Sequence, residues 1–217
     1  EKEDFLIITM AMNPMITEKG NKLVIRTNIT TAMVATKMMD TLINKEGLKN
    51  IGIIADSGDW GKSYADTVVS KIPELGGKLV AAEYIDENKQ TDFYTQLTNV
   101  IAKKPDVISI VAHDSAAAMI VKQVRELGYT GPLAFSEGFQ AEGRRLATWE
   151  KIGIGSYLVA NAVDLKLPGA LKYLEDFKKK FNKDGLAYGI MSHAEALLAF
   201  RAMEKAGTVS DTAKIRA

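Results

Sequence analysis

The 217-residue chain contains no cysteine, which excludes thiolate metal sites, disulfides and cysteine nucleophiles and is compatible with either a cytoplasm or a bacterial periplasm. Histidine is nearly as scarce: only His113 and His193 occur, and no HExxH or other paired-histidine metal spacing is present. No serine sits in a GxSxG elbow and no GxGxxG follows a strand-like run, so the signatures of α/β-hydrolases and dinucleotide-dependent dehydrogenases are missing. Neither sign of charge is in excess. With 28 Lys+Arg against 27 Asp+Glu, the net charge is +1, without the basic stripe that nucleic acid requires. No apolar run approaches the ~20 residues that cross a bilayer, and no charged-then-apolar leader opens the sequence. With 47% hydrophobic and 25% charged residues, the composition is that of a globular protein with a substantial core, in one large domain or two small ones. The polar residues assemble no recognisable nucleophile, base and orienter, so binding is a stronger reading than catalysis, and no cofactor is expected.

Three times an apolar run enters a short polar turn and then an amphipathic helix. Ile51 to Ala55 leads into Asp56-Ser57-Gly58-Asp59-Trp60-Gly61, Val107 to Ala112 into His113-Asp114-Ser115, and Pro132 to Ser136 into Glu137-Gly138. Buried runs of this length between helices imply an α/β fold with a doubly wound parallel sheet, whose ligands sit beyond the carboxyl ends of the strands. The three turns are therefore expected on one rim.

Further strands are expected at 5–10, 22–26, 78–84 and, weakly, 157–162. Thr30 or Thr31 caps a helix with Val34, Met38, Leu42 and Ile43 inward, ending at Gly47. The helix after Gly61 places Tyr64, Val68, Val69 and Ile72 on one face and stops near Pro73. Thr91 is expected to cap the next helix, and another runs from Ser115 to Gly128. Helices over about 169–181 and 187–205 follow, the second expected to bury Leu197, Leu198, Phe200 and Met203. The strand near Glu1 and the helix starting near Asp211 read as elements close to cut ends, and the chain is taken as an excerpt.

The candidate site residues each carry two readings. Gly61-Lys62-Ser63 ends like a phosphate-binding P-loop, but Asp56 stands where the first glycine belongs and Asp59 adds a second repelling charge. Trp60 can stack on a ligand or cover the edge of its own core. His113 can touch a ligand or serve as a hydrogen-bonded structural residue, and Asp114 can join it or cap the following helix. Glu137 leaves a buried strand, where a charge needs a partner. A ligand ammonium would serve, as would the backbone amides of a nearby loop.

The stretches TMAMNPMIT (Thr9 to Thr17), IGIIADSGDWGKS (Ile51 to Ser63), VKQVRELGYTGPLAFSEG (Val121 to Gly138) and ALLAFRAMEKAG (Ala196 to Gly207), with the spacing between them, resemble the substrate-binding proteins of branched-chain amino acid ABC transporters, which have the type I periplasmic-binding fold. The resemblance covers nearly the whole chain. It implies two doubly wound α/β lobes, the first incomplete here: 1–28 and 163–217 in the first lobe, 29–162 in the second. It implies no enzyme activity and no cofactor, but a small-molecule ligand, an ABC permease as membrane partner and a periplasmic or cell-surface location. By the same resemblance, Glu137 stands where the ligand's ammonium is held, Trp60 where members place a tyrosine, and His113 at another aromatic contact. Met10, Met12 and Asn13 form a ligand-side loop in which amino acid binders commonly have alanine and threonine at the two methionine positions. Met12 cannot supply that hydroxyl, whereas Glu137 favours an amine. The same fold also serves as the sensor half of cytoplasmic regulators, which is the rival expectation.

Overall fold

The computed structural model describes residues 5–139, 155–159, 164, 166–185 and 187–217. Two stretches far apart in sequence, Glu1–Ile29 and Asn161–Ala217, gather into one unit, and Thr30–Ala160 forms the other.

The first unit opens with strand β1 (Ile7–Thr9), a short helix α1 (Met15–Glu18) and strand β2 (Val24–Arg26), the two strands pairing in parallel. Arg26 ties the intervening loop down. Its guanidinium donates to the carbonyl oxygen of Asn13 at 3.1 Å and to Thr17 Oγ1 at 2.7 Å.

The second unit begins with helix α2 (Thr31–Asp40), which continues as one wider π-helical turn over Thr41–Lys45. Thr30 caps it as expected, Oγ1 accepting from Met33 N at 3.2 Å, and Val34, Met38, Leu42 and Ile43 are buried. Strand β3 (Asn50–Asp56), helix α3 (Asp59–Glu74), strand β4 (Lys78–Ile85), helix α4 (Tyr94–Ile101), strand β5 (Val107–Val111), helix α5 (Asp114–Glu126), strand β6 (Leu133–Phe135) and strand β7 (Tyr157–Leu158) follow. The five strands form one wholly parallel sheet in the order β4-β3-β5-β6-β7. Every residue of β5 is buried, as a strand covered on both faces must be. One face carries Ile54, Ile108, Ile110, Leu133 and Phe135 against Leu97 and Val100 of α4 and Ile120, Val121 and Val124 of α5. α2 and α3 pack on each other with Met38, Met39, Tyr64, Val68 and Ile72 buried.

Several expectations need correction. Val69 is exposed: the 100° step of a helix carries it off the face that Val68 and Ile72 share. Helix α3 does stop near Pro73 as expected, ending at Glu74 with Pro73 inside its last turn. Thr91 does not cap α4, because the chain turns only where Phe93 is drawn fully into the core. The start of α4 is held from two sides instead, Asp92 Oδ1 accepting from Tyr94 N at 3.0 Å and α5 reaching the residues just before it. Gln123 of α5 accepts from Phe93 N and donates to the carbonyl oxygen of Thr91, both at 2.8 Å. Of the strand expected at 157–162, Tyr157–Leu158 pairs with β6, and 160–162 lie outside the described residues.

The first unit resumes with helix α6 (Pro168–Phe181), helix α7 (Ala187–Ala206) and helix α8 (Thr212–Arg216), the last capped by Asp211 Oδ1 accepting from Lys214 N at 3.1 Å. Leu197, Leu198 and Phe200 of α7 are exposed rather than buried. Leu198 and Met203 line an open apolar cavity of about 610 Å³ with Phe5, Ile8, Ile25 and Ile215, and the described residues of this unit do not cover that face.

The approach of α3 to the end of β3 is tight enough to demand glycine: a Cβ on Gly61 would lie 2.1 Å from the carbonyl oxygen of Asp56. Gly61→Ala is expected to lower the unfolding free energy by about 1–3 kcal/mol. Gly169→Ala, in α6 with open space around it, should raise it by under about 1 kcal/mol. Denaturant titration of both variants checks this, and an unchanged midpoint for Gly61→Ala would remove the close approach as a structural constraint.

Candidate functional site

With all strands parallel, β4, β3, β5 and β6 end at one edge of the sheet, and the turns that leave them, near 86–88, 57–59, 112–114 and 136–138, lie along it. Three of the four were expected as a rim. The fourth, Asp86-Glu87-Asn88, follows β4 in the same way, as an apolar strand running into an acidic turn.

Trp60 lies in the first turn of α3 and is half-buried. Its indole Nε1–H donates to Glu137 Oε1 at 2.9 Å, and its ring stands 4.4 Å from the His113 ring with a 37° tilt. Glycine is needed at 138 because a Cβ there would lie 2.7 Å from Trp60 Cη2 and 3.0 Å from the carbonyl oxygen of Ala112. Glu137 itself is only 1% exposed. Burial raises its carboxyl above the ordinary range, with the Trp60 hydrogen bond and the His113 charge opposing.

His113 is the N-cap residue of α5 and makes no side-chain cap bond; its imidazole is engaged elsewhere. Glu87 Oε2 accepts from the backbone N–H of His113 at 2.7 Å, and Oε1 meets the ring Nδ1 at 2.5 Å. The hydrogen bond to Glu87 raises the imidazole above its usual value against a burial effect that lowers it, and the charges of Glu87, Asp56 and Glu137 add to the rise. For Glu87, burial acts upward, but the bonds and charge of His113 outweigh it and hold the carboxyl low. Asp56 is buried, accepts from Gly58 N at 2.9 Å and takes a longer bond from Glu87 N at 3.4 Å. Asp114 is the first residue of α5, where a carboxylate suits the helix dipole.

The structure thus brings together Trp60, His113 and Glu137, with Asp114 adjacent in sequence, and adds Glu87 and Asp56. Glu87 was missed because its partner lies 26 positions away. Met10, Met12 and Asn13 belong to the other unit. There Met10's carbonyl oxygen accepts from Asn28 Nδ2 at 3.1 Å, Met12 is buried, and Asn13 Oδ1 accepts from Met15 N at 3.0 Å. Among the described residues no group of three His, Cys, Asp or Glu side chains is arranged to hold a metal ion, and no helix is long and apolar enough to cross a membrane.

The rim offers a half-buried aromatic, an imidazole held for protonation and three carboxylates within one cluster. Such a group can hold a small cationic or zwitterionic molecule by stacking and charge, without a reactive constellation.

Known proteins agree in fold. The sequence model of the periplasmic binding protein family matches residues 2–217. A Leu/Ile/Val-binding protein homolog from Brucella melitensis is 23% identical over 97% of this chain and 56% of its own length. The crystal structure of the leucine-binding protein LivK from Thermotoga maritima is 25% identical, with a TM-score of 0.82 over 96% of this chain and 59% of that one. A fatty acid ABC transporter substrate-binding protein from Thermomonospora curvata superposes with a TM-score of 0.83 at 22% identity, over 97% of this chain and 56% of its own. The chain therefore spans a little over half the length of these proteins. The parallel α/β architecture is that of the type I periplasmic-binding fold.

Because burial raises the Glu137 carboxyl, the folded protein keeps that proton at pH values where the unfolded chain has released it. Its contribution to stability therefore falls as the pH rises from the ordinary glutamate value through the raised one. Glu137→Gln keeps an acceptor for the indole and should abolish this slope, leaving the protein at least as stable as the original at neutral pH. Unfolding midpoints at acid and neutral pH test this, and a Gln variant less stable at neutral pH would show that the ionised carboxylate is net favourable where it lies.

Proposed function

The chain belongs to the periplasmic binding protein family, and from that premise we propose that it is the larger part of an extracytoplasmic solute-binding receptor for an amino acid or a related small carboxylate or amide. The observation that carries this reading is the linked group of Trp60, His113 and Glu137 on the carboxyl rim of the parallel sheet. The apolar part of the ligand lies on the indole, its amine is drawn by the negative field of Glu137, Asp56 and Glu87, and closure of the protein excludes water and strengthens each polar contact. Met10, Met12 and Asn13 are proposed as ligand residues on the resemblance alone. The closed receptor then presents its ligand to an ABC permease in the membrane. The amino acid class is supported by the leucine-binding structure at 25% identity, and the amine by the excess of carboxylates around His113.

The test is a thermal-shift panel of amino acids, amides and small carboxylates on the full-length protein, followed by calorimetry. Ligand at a hundredfold above its dissociation constant should add about 2.7 kcal/mol of stability. Trp60→Ala should weaken binding by about tenfold or more, equivalent to about 1.4 kcal/mol, and Glu137→Gln should weaken amines selectively over ligands without one. A panel with no shift on ligand-free, folded protein would instead favour a sensor domain for a molecule outside these classes.

A further inference from the structure

We propose that Glu87, which the resemblance does not assign, is the positioning residue of this site: its carboxylate grips the backbone and the ring of His113 together and holds the imidazole against Trp60. One oxygen takes the His113 N–H at 2.7 Å and the other takes Nδ1 at 2.5 Å, so a single carboxylate constrains both the backbone entering α5 and the side-chain rotamer. Facing an ionised carboxylate, Nδ1 must carry a proton, which leaves Nε2 as the nitrogen that gains or loses charge. The pair is asymmetric in exposure. The Glu87 side chain is 10% exposed and that of His113 61%, so the carboxylate is hidden and acts on a ligand through the histidine.

The ring placed in this way stands 4.4 Å from the indole, whose far edge is tethered to Glu137, and a cation at that distance is attracted by the indole face. The other charged groups around the imidazole are Asp56 at the end of β3, Glu137 beyond β6 and Asp114 next in the chain, while Asp86 adjoins Glu87 on its own turn. Asp86 is itself paired with Lys89 at 2.9 Å, so the charges that favour the protonated ring are those of Glu87, Asp56 and Glu137. The raised imidazole value agrees with this placement.

The effect on ligand rests on the receptor reading; the geometry of the pair does not, and the experiment separates the two. In the full-length protein labelled with nitrogen-15 histidine, the His113 resonances, assigned with His113→Gln, should titrate above the ordinary imidazole value and return toward it in the isosteric Glu87→Gln. By calorimetry with leucine as probe, below that midpoint, Glu87→Gln and His113→Gln should each lower affinity by about tenfold. The double variant should be no worse than His113→Gln alone, since one residue acts through the other. An unchanged His113 midpoint in Glu87→Gln, or additive losses in the double variant, would overturn the proposal. If the unsubstituted protein does not bind leucine, the receptor reading for leucine fails, and the titration by itself decides whether Glu87 positions the ring. A thermal melt confirms that each variant is folded.

Discussion

Because β4, β3, β5 and β6 all run the same way, the loops that leave them have to emerge at a single edge, and each carries its polar residues to the same place. Residues 56, 60, 87, 113 and 137 are dispersed over more than a third of the chain, yet successive contacts join them: Asp56 to the backbone of Glu87, Glu87 to His113, His113 to Trp60, and Trp60 to Glu137. A mixed sheet would send alternate loops to opposite ends and break that sequence of contacts. The glycines at 61 and 138 complete the constraint by letting α3 and the last turn approach closely enough for the indole to reach its acceptor.

Globally the chain is almost neutral, whereas this edge is not. Asp56, Glu87 and Glu137 surround a single imidazole, and two of the three carboxylates are buried. A buried carboxylate is costly and survives where hydrogen bonds and opposite charge offset its desolvation. Here part of that offset comes from an indole N–H and an imidazole, groups that also offer aromatic surface. The same residues therefore satisfy the acid and form the face on which a small molecule can lie.

Much of this architecture is legible in the sequence, for reasons that differ by element. β5 reads directly because a short apolar run rich in β-branched residues, set off by Pro105, fits a strand covered on both sides, and α2 reads through its Thr30 cap and its apolar spacing. Trp60, His113 and Glu137 are legible as a group because each follows an apolar run, and a parallel sheet must bring such positions together. Glu87 is not, since a glutamate in Asp-Glu-Asn-Lys looks like a solvated turn until its distant partner is known. The capping of α4 fails in part for the same reason: local chemistry nominates Thr91, while its neighbour Asp92 takes Tyr94 N and the acceptor for Phe93 N comes from another helix. In α7 apolar spacing names an inward face correctly only if something covers it, and Leu198 and Phe200 remain exposed among the described residues. The wider turn at Thr41–Lys45 has no local signature at all.

The amide of Gln123 makes the first turn of α4 depend on α5. It is buried, holds Phe93 N and the carbonyl oxygen of Thr91 at once, and reaches them across about thirty residues that include α4 itself and the whole of β5. Until that loop closes, the start of α4 has neither this cap nor the buried seat of Phe93, and loop-closure entropy opposes both. The first turn of α4 therefore gains its full set of native contacts only when α5 is docked. In the native protein the amide proton of Phe93 is thereby protected by a side chain of α5, which links the opening of α5 to the exposure of the chain entering α4.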